Sequence, residues 1–168
     1  MDATPIRPAY SSWPAYNQRL RDAVAGLSAE QLAIAPSPDH WPLWATLGHV
    51  ACQRVFWLCD FAGVPGKEST PFQNAAFNCP GDDDLENVLG PTELADALDT
   101  TFMIVERCLD TWSFASLTEK IVRADFGPDW VHTRGAVIQR VFAHDMYHAG
   151  QVVQTLGISG LRKPDLWG

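Results

Sequence analysis

The sequence predicts an all-α protein, a four-helix bundle with one short extra helix after the first long one. Apolar residues recur at helical spacing through four long stretches, Gly and Pro gather between those stretches, and no internal repeat or low-complexity tract interrupts them. Four helices of similar length pack most simply as a bundle. At 168 residues the chain is expected to form one domain, 1–168, burying about 70% of its unfolded surface.

The first helix is expected from Ser11 or Ser12 to Ala25, with Pro14 tolerated in its first turn and Gly26 closing it. Ser28 and Gln31 then make a capping box for a short helix that stops before Pro36. After the Pro-rich loop 36–42, Asp39 or His40 leads into a second long helix running through Phe61. This helix is apolar nearly all round, so it is either central in the fold or shared with another subunit. Gly63 to Pro80 reads as a long loop or lid. Pro91 opens the third long helix, whose apolar side carries Leu94, Leu98, Thr101, Phe102, Val105 and Leu109. A connection with a short extended piece at 120–125 follows, and Thr133 caps a fourth long helix ending near Leu156 and Gly157.

Composition narrows the function classes. A formal charge of −8 and a pI near 4.9 exclude the basic face that nucleic-acid binding needs. The acidic excess clusters from Asp82 to Asp110, a pattern expected of a solvated helix face with an acidic lead-in. The start has no cationic segment leading into an apolar one, and no apolar run reaches membrane-span length, so a soluble, cytoplasmic protein is expected. Cys52, Cys59, Cys79 and Cys108 show no CxxC spacing and are expected as free thiols in a reducing compartment. Cys52 stands one turn from His49, within reach of a metal, although a small core residue is the simpler reading.

The chemistry-bearing pattern is His144 and His148, four apart, with an isolated His49 upstream. On a helix such a pair stands about 5–6 Å apart at Cβ, and two imidazoles can converge on one ion. Spacing alone also fits two ordinary helix residues. The pair falls, however, on the stripe Val137, Val141, His144, His148, Val152 and Thr155, which points both rings inward. Buried imidazoles need partners, and a shared metal satisfies them. His49 on a facing helix is the third ligand, leaving a position for water or substrate. Gln53 and Trp57 on the His49 face, with Gln151 and Asp145 beside the pair, are candidates to touch a substrate or to support an imidazole. His40 and His132, at helix starts, need no special role, and Tyr147 is expected to face away from the ligands. A metallopeptidase does not fit: Asp145 stands where a zincin places its Glu, and no His or Glu downstream serves as third ligand.

Taken together, the short capped helix, Trp41 ahead of the helix with His49, Phe126-Gly-Pro-Asp-Trp130 before Thr133, and His144-x-x-x-His148-x-Gly150-Gln151 resemble the DinB/YfiT-like superfamily of metal-binding four-helix bundles over almost the whole chain. The resemblance implies His49, His144 and His148 as ligands of a divalent ion, zinc or nickel, and implies a homodimer. Asp145 and Ala149 depart from the Glu and the basic or polar residue common in relatives. Characterised relatives include thiol S-transferases using bacillithiol and mycothiol-dependent maleylpyruvate isomerases. The leading expectation is therefore a small metal-dependent enzyme of the thiol S-transferase type, in which a low-molecular-weight thiol takes the open metal position and attacks a small-molecule substrate. The alternatives are a metal-dependent hydrolase and a non-catalytic metal-binding or stress-associated bundle.

Overall fold

Helix α1, Trp13–Ala25, begins after Ser12 and buries Trp13, Tyr16, Asn17, Leu20 and Val24, the spacing of one helical face. The computed structural model describes residues 3–75 and 78–166. Both halves of the expected capping box form at the short α2, Ala29–Leu32: Gln31 N–H donates to Ser28 Oγ at 3.3 Å and Ser28 N–H to Gln31 Oε1 at 2.9 Å.

Helix α3 spans Leu43–Val55, and every residue in it except Gln53 is buried. It starts later than Asp39 or His40. Pro42 is extended (φ −66°, ψ 160°), and a residue preceding proline is disfavoured in helical conformation, which keeps Trp41 out as well. Beyond Val55 the helix widens into a π-helical turn, Phe56–Phe61. The apolar α3 is central: it packs on α4, Pro91–Thr111, and on α5, Arg134–Ile158, within one chain. Its hydrophobicity therefore needs no second subunit.

Residues 76 and 77 of the expected 63–80 loop lie outside the described residues; a 3-10 turn, Lys67–Ser69, lies within it. All six apolar-side positions expected on α4 are buried. The extended piece is a strand, β1 (Lys120–Val122), and it pairs antiparallel with an unanticipated β2 (Val131–Thr133) in the register Ile121↔His132. Strands of three residues are too short to show a period of two. Thr133 caps α5 as expected, accepting from Ala136 N–H at 3.1 Å.

One polar knot ties the four long helices together. Arg54 on α3 and Asp145 on α5, 1% and 2% exposed, meet at 2.7 Å. Arg54 also donates to the Leu98 carbonyl (3.1 Å) and Thr101 Oγ1 (3.4 Å) of α4, while Trp13 Nε1 of α1 donates to Asp145 at 3.0 Å. Burial raises the Asp145 carboxyl above its usual range, and Arg54 opposes that shift.

Two expectations about cysteine are corrected. Cys52 and Cys79 form a disulfide, with Cα atoms 5.7 Å apart across a sequence separation of 27. Cys52 is therefore not a free thiol within reach of a metal. The pairing escaped the sequence because Cys79 lies in an aperiodic loop whose path over α3 no local pattern reveals. It also removes the thiol-based ground for a reducing compartment, since disulfides persist where conditions oxidise. Cys59 and Cys108 are free, their thiols pushed up by burial to about 11 and about 12, which disfavours the reactive thiolate. Among the described residues, no helix is long and apolar enough to cross a membrane.

Candidate metal centre

Helices α3 and α5 bring three imidazoles together. His144 Nε2 lies 3.0 Å from His49 Nε2 and 3.1 Å from His148 Nε2. Three nitrogens around a tetrahedral ion at about 2.0–2.1 Å stand roughly 3.3–3.4 Å apart, so a slight spreading of the rings seats one. These three are the group among the described residues whose donor atoms could hold a metal ion.

Proton counting supports the fit. His49 Nδ1 faces the Pro80 carbonyl at 3.2 Å, and a carbonyl only accepts, so this nitrogen carries the hydrogen. His148 Nδ1 lies 2.7 Å from Gln151 Oε1, while Gln151 Nε2 donates to Tyr147 Oη at 3.2 Å. As neutral rings, both then present a bare Nε2 lone pair to His144, which has one N–H at most to offer two neighbours. A cation satisfies all three, and the carbonyl partners behind two of the rings are what a metal-binding histidine normally requires.

Charge points the same way. Burial is the main cause lowering the pKa of each imidazole, and the neighbouring histidines push His144 further, to about 3. For His49, Asp82, 3.6 Å from Nδ1, partly opposes the shift. Neutral rings are ready ligands at neutral pH. Because the folded values lie below the ordinary 6.5, the unfolded chain binds more protons, and the stability these rings lend is complete above about pH 6.5 and lost as pH falls towards 3. The urea midpoint of metal-free protein is accordingly expected to drop between about pH 7 and pH 4, and the drop should be shallower in His144→Ala. Equal slopes in the two proteins would contradict this electrostatic account.

The loop after Cys79 forms one wall. Trp41 lies over His49, ring centroids 4.9 Å apart, and runs nearly parallel to His148 at 6.3 Å. Gly81 supports it at φ +87°, where an added Cβ would stand 2.8 Å from the Trp41 ring. Gly81→Ala is expected to cost about 1–3 kcal/mol and to displace Trp41, visible as a changed tryptophan emission alongside a lower melting temperature. An unchanged spectrum would separate the glycine from the site.

The remaining candidates are distributed unevenly. Gln151 supports His148. Asp145 takes Arg54 and Trp13 as its partners, not an imidazole. Gln53 Nε2 rests 3.8 Å from Cys79 Sγ, against the disulfide. Trp57 packs on Trp130 and His132 and carries the Arg140 guanidinium 4.4 Å from its ring centroid. Eight residues after His49, Trp57 stands about 80° round a regular wheel, at the edge of the His49 face, and there its ring meets Trp130 and His132. Tyr147, expected to face away, borders a cleft of about 600 Å³ with His40, Trp41, His148 and Gln151. The Pro80 carbonyl, Asp82 and Gly81 were missed; the one available signal was the acidic run directly after Cys79 and Pro80, which read as a solvated lead-in.

A buried three-histidine centre on facing helices of a bundle, with an adjoining cleft, is the class of protein that fold and site define. The family model of the DinB superfamily matches residues 15–152, and the chain belongs to that superfamily, whose members generally bind metal. Its structure is similar to the crystal structure of a DinB-like protein from Bacillus cereus, with a TM-score of 0.70 at 19% identity over 97% of this chain and 98% of the other. That likeness speaks to the fold. No curated protein matches the sequence.

Proposed function

We propose that this chain is a metal-dependent enzyme acting on a small molecule, of the thiol S-transferase type, with zinc or nickel held by His49, His144 and His148. The observation that carries the reading is the convergence of three Nε2 atoms, two of them on rings whose Nδ1 is engaged by an oxygen acceptor. A divalent cation bound there supplies Lewis acidity, lowering the pKa of a thiol that joins it at the open position.

The rest falls to the chain's own residues. Pro80 and Gln151 fix two tautomers, so the ligand set needs no proton rearrangement before use. The cleft beside His148 has the size of a small-molecule site. Trp41 offers it a flat apolar face, and Gln151, Tyr147 and His40 offer hydrogen bonds to a substrate lodged there. A homodimer belongs to the proposal on the family resemblance alone, and sedimentation of purified protein tests it.

Transfer of a low-molecular-weight thiol to a thiol-reactive electrophile, followed with and without a chelator, tests the enzymatic reading. Turnover is expected to vanish on chelation and to return with added zinc or nickel. Chelator-insensitive turnover would remove the metal from the reaction; bound metal without turnover of any such electrophile would leave a metal-binding bundle.

A further inference from the structure

The disulfide and the metal centre share a structural unit. Cys52 lies on α3 three residues after His49, and its partner Cys79 directly precedes Pro80, whose carbonyl accepts the His49 Nδ1 hydrogen. The segment 79–81 is clamped to α3 at further points. A Cβ on Gly48 would stand 3.0 Å from Pro80 Cγ, so the glycine leaves room for the segment to lie this close, and Gly81 is seated under the Trp41 ring. Cys79 N–H also donates to Asp83 Oδ2 at 2.9 Å, which folds the acidic turn back towards His49, where Asp82 Oδ2 lies 3.6 Å from Nδ1. The covalent bond is thus the anchor of the backbone segment whose carbonyl orients the first ligand.

We propose that the Cys52–Cys79 disulfide is a redox-sensitive positioning element of the metal centre: oxidised, it holds the Pro80 carbonyl on His49 and sets a high metal affinity; reduced, it releases that segment and lowers the affinity. The inference rests on the metal-binding reading given above. Reduction breaks the Sγ–Sγ bond and leaves two thiols. The two electrons and two protons come from a dithiol or a pair of monothiols, which depart as a disulfide. With the crosslink open, the Pro80 carbonyl stays near His49 through packing and non-covalent hydrogen bonds alone, and the ring can turn or change tautomer. Burial of both sulfurs makes exchange with small thiols slow, so each redox state can be prepared and examined on its own.

The test compares oxidised protein, protein reduced and then freed of reductant without air, and a Cys52→Ser/Cys79→Ser variant. Each is titrated with zinc against a competing chelator. Loss of a partner behind a metal-binding histidine typically weakens affinity about 10–100-fold, and that weakening is expected for both the reduced protein and the variant. Histidine NMR of the metal-free protein gives a second readout: His49 should be a single Nδ1–H tautomer when oxidised and a mixture when reduced. The reduced wild-type protein keeps the comparison valid if the variant folds poorly. Equal zinc affinity in both redox states overturns the redox coupling and leaves the metal centre standing, as does an unchanged His49 tautomer. Failure of every preparation to bind zinc overturns the metal-binding reading, and this proposal with it.

Discussion

His144→Ala is expected to yield a folded protein that purifies without metal, while the unaltered chain carries one ion per molecule. His144 is the middle member of the triad, within 3.0 Å and 3.1 Å of the other two Nε2 atoms. His49 and His148 alone leave two ligands on separate helices. The loss should exceed the roughly 10–100-fold drop that follows removal of a mere supporting partner. Folding should survive, because His144 is only half-buried and its neutral ring sits against other lone pairs. Metal analysis beside a thermal melt checks both halves. His40→Ala and His132→Ala serve as controls, since neither ring belongs to the triad. Stoichiometric metal in His144→Ala would put the ion somewhere else.

Arg54→Leu is expected to be the most destabilising single substitution in the bundle. It strands Asp145, 2% exposed, with Trp13 as its one remaining donor among the described residues, and it leaves Leu98 and Thr101 without their guanidinium contact. Breaking a buried pair from one side costs about 3–5 kcal/mol, a large part of the roughly 5–15 kcal/mol that holds a domain together. In a chain of this size that corresponds to a melting temperature lower by about 6–20 °C. Arg54→Leu combined with Asp145→Leu should recover much of the loss, because two apolar residues of similar volume leave no uncompensated charge. A double variant as unstable as the sum of the singles would show that shape, and not charge, holds this point of the bundle.

How much of this was readable beforehand divides along local and non-local lines. Caps at Ser28 and Thr133, the buried face of α4 and the inward stripe of α5 are set by neighbours within a turn or two, and the sequence displays them directly. The meeting of His49, His144 and His148 was legible for the same reason, as two of the three share one helix and the third stands on the most apolar one. What escaped depends on chain segments far apart. The Cys52–Cys79 bond and the Pro80 carbonyl come from a loop laid across α3, and no periodicity records where a loop lies. Trp57 meets Trp130 and His132, which reach it from the connection before α5, and a helical wheel records no such contact. The pairing of Arg54 with Asp145 is legible in principle. A lone cation in an apolar helix and a lone acid in the buried sector of another are complementary, and two such expensive groups are best explained by each other.

Asp145 stands between His144 and His148, so one stretch of α5 carries two histidines of the triad and half of the internal charge pair. Turning α5 about its axis to hide the acid from Arg54 would swing both imidazoles out of line with His49, and sliding it by a turn would bury a bare carboxylate in hydrocarbon. Only one rotation and one height of this helix satisfy the fold before any ion arrives. Assembly of the bundle therefore acts as a key for the site, aligning the three imidazoles as the chain folds.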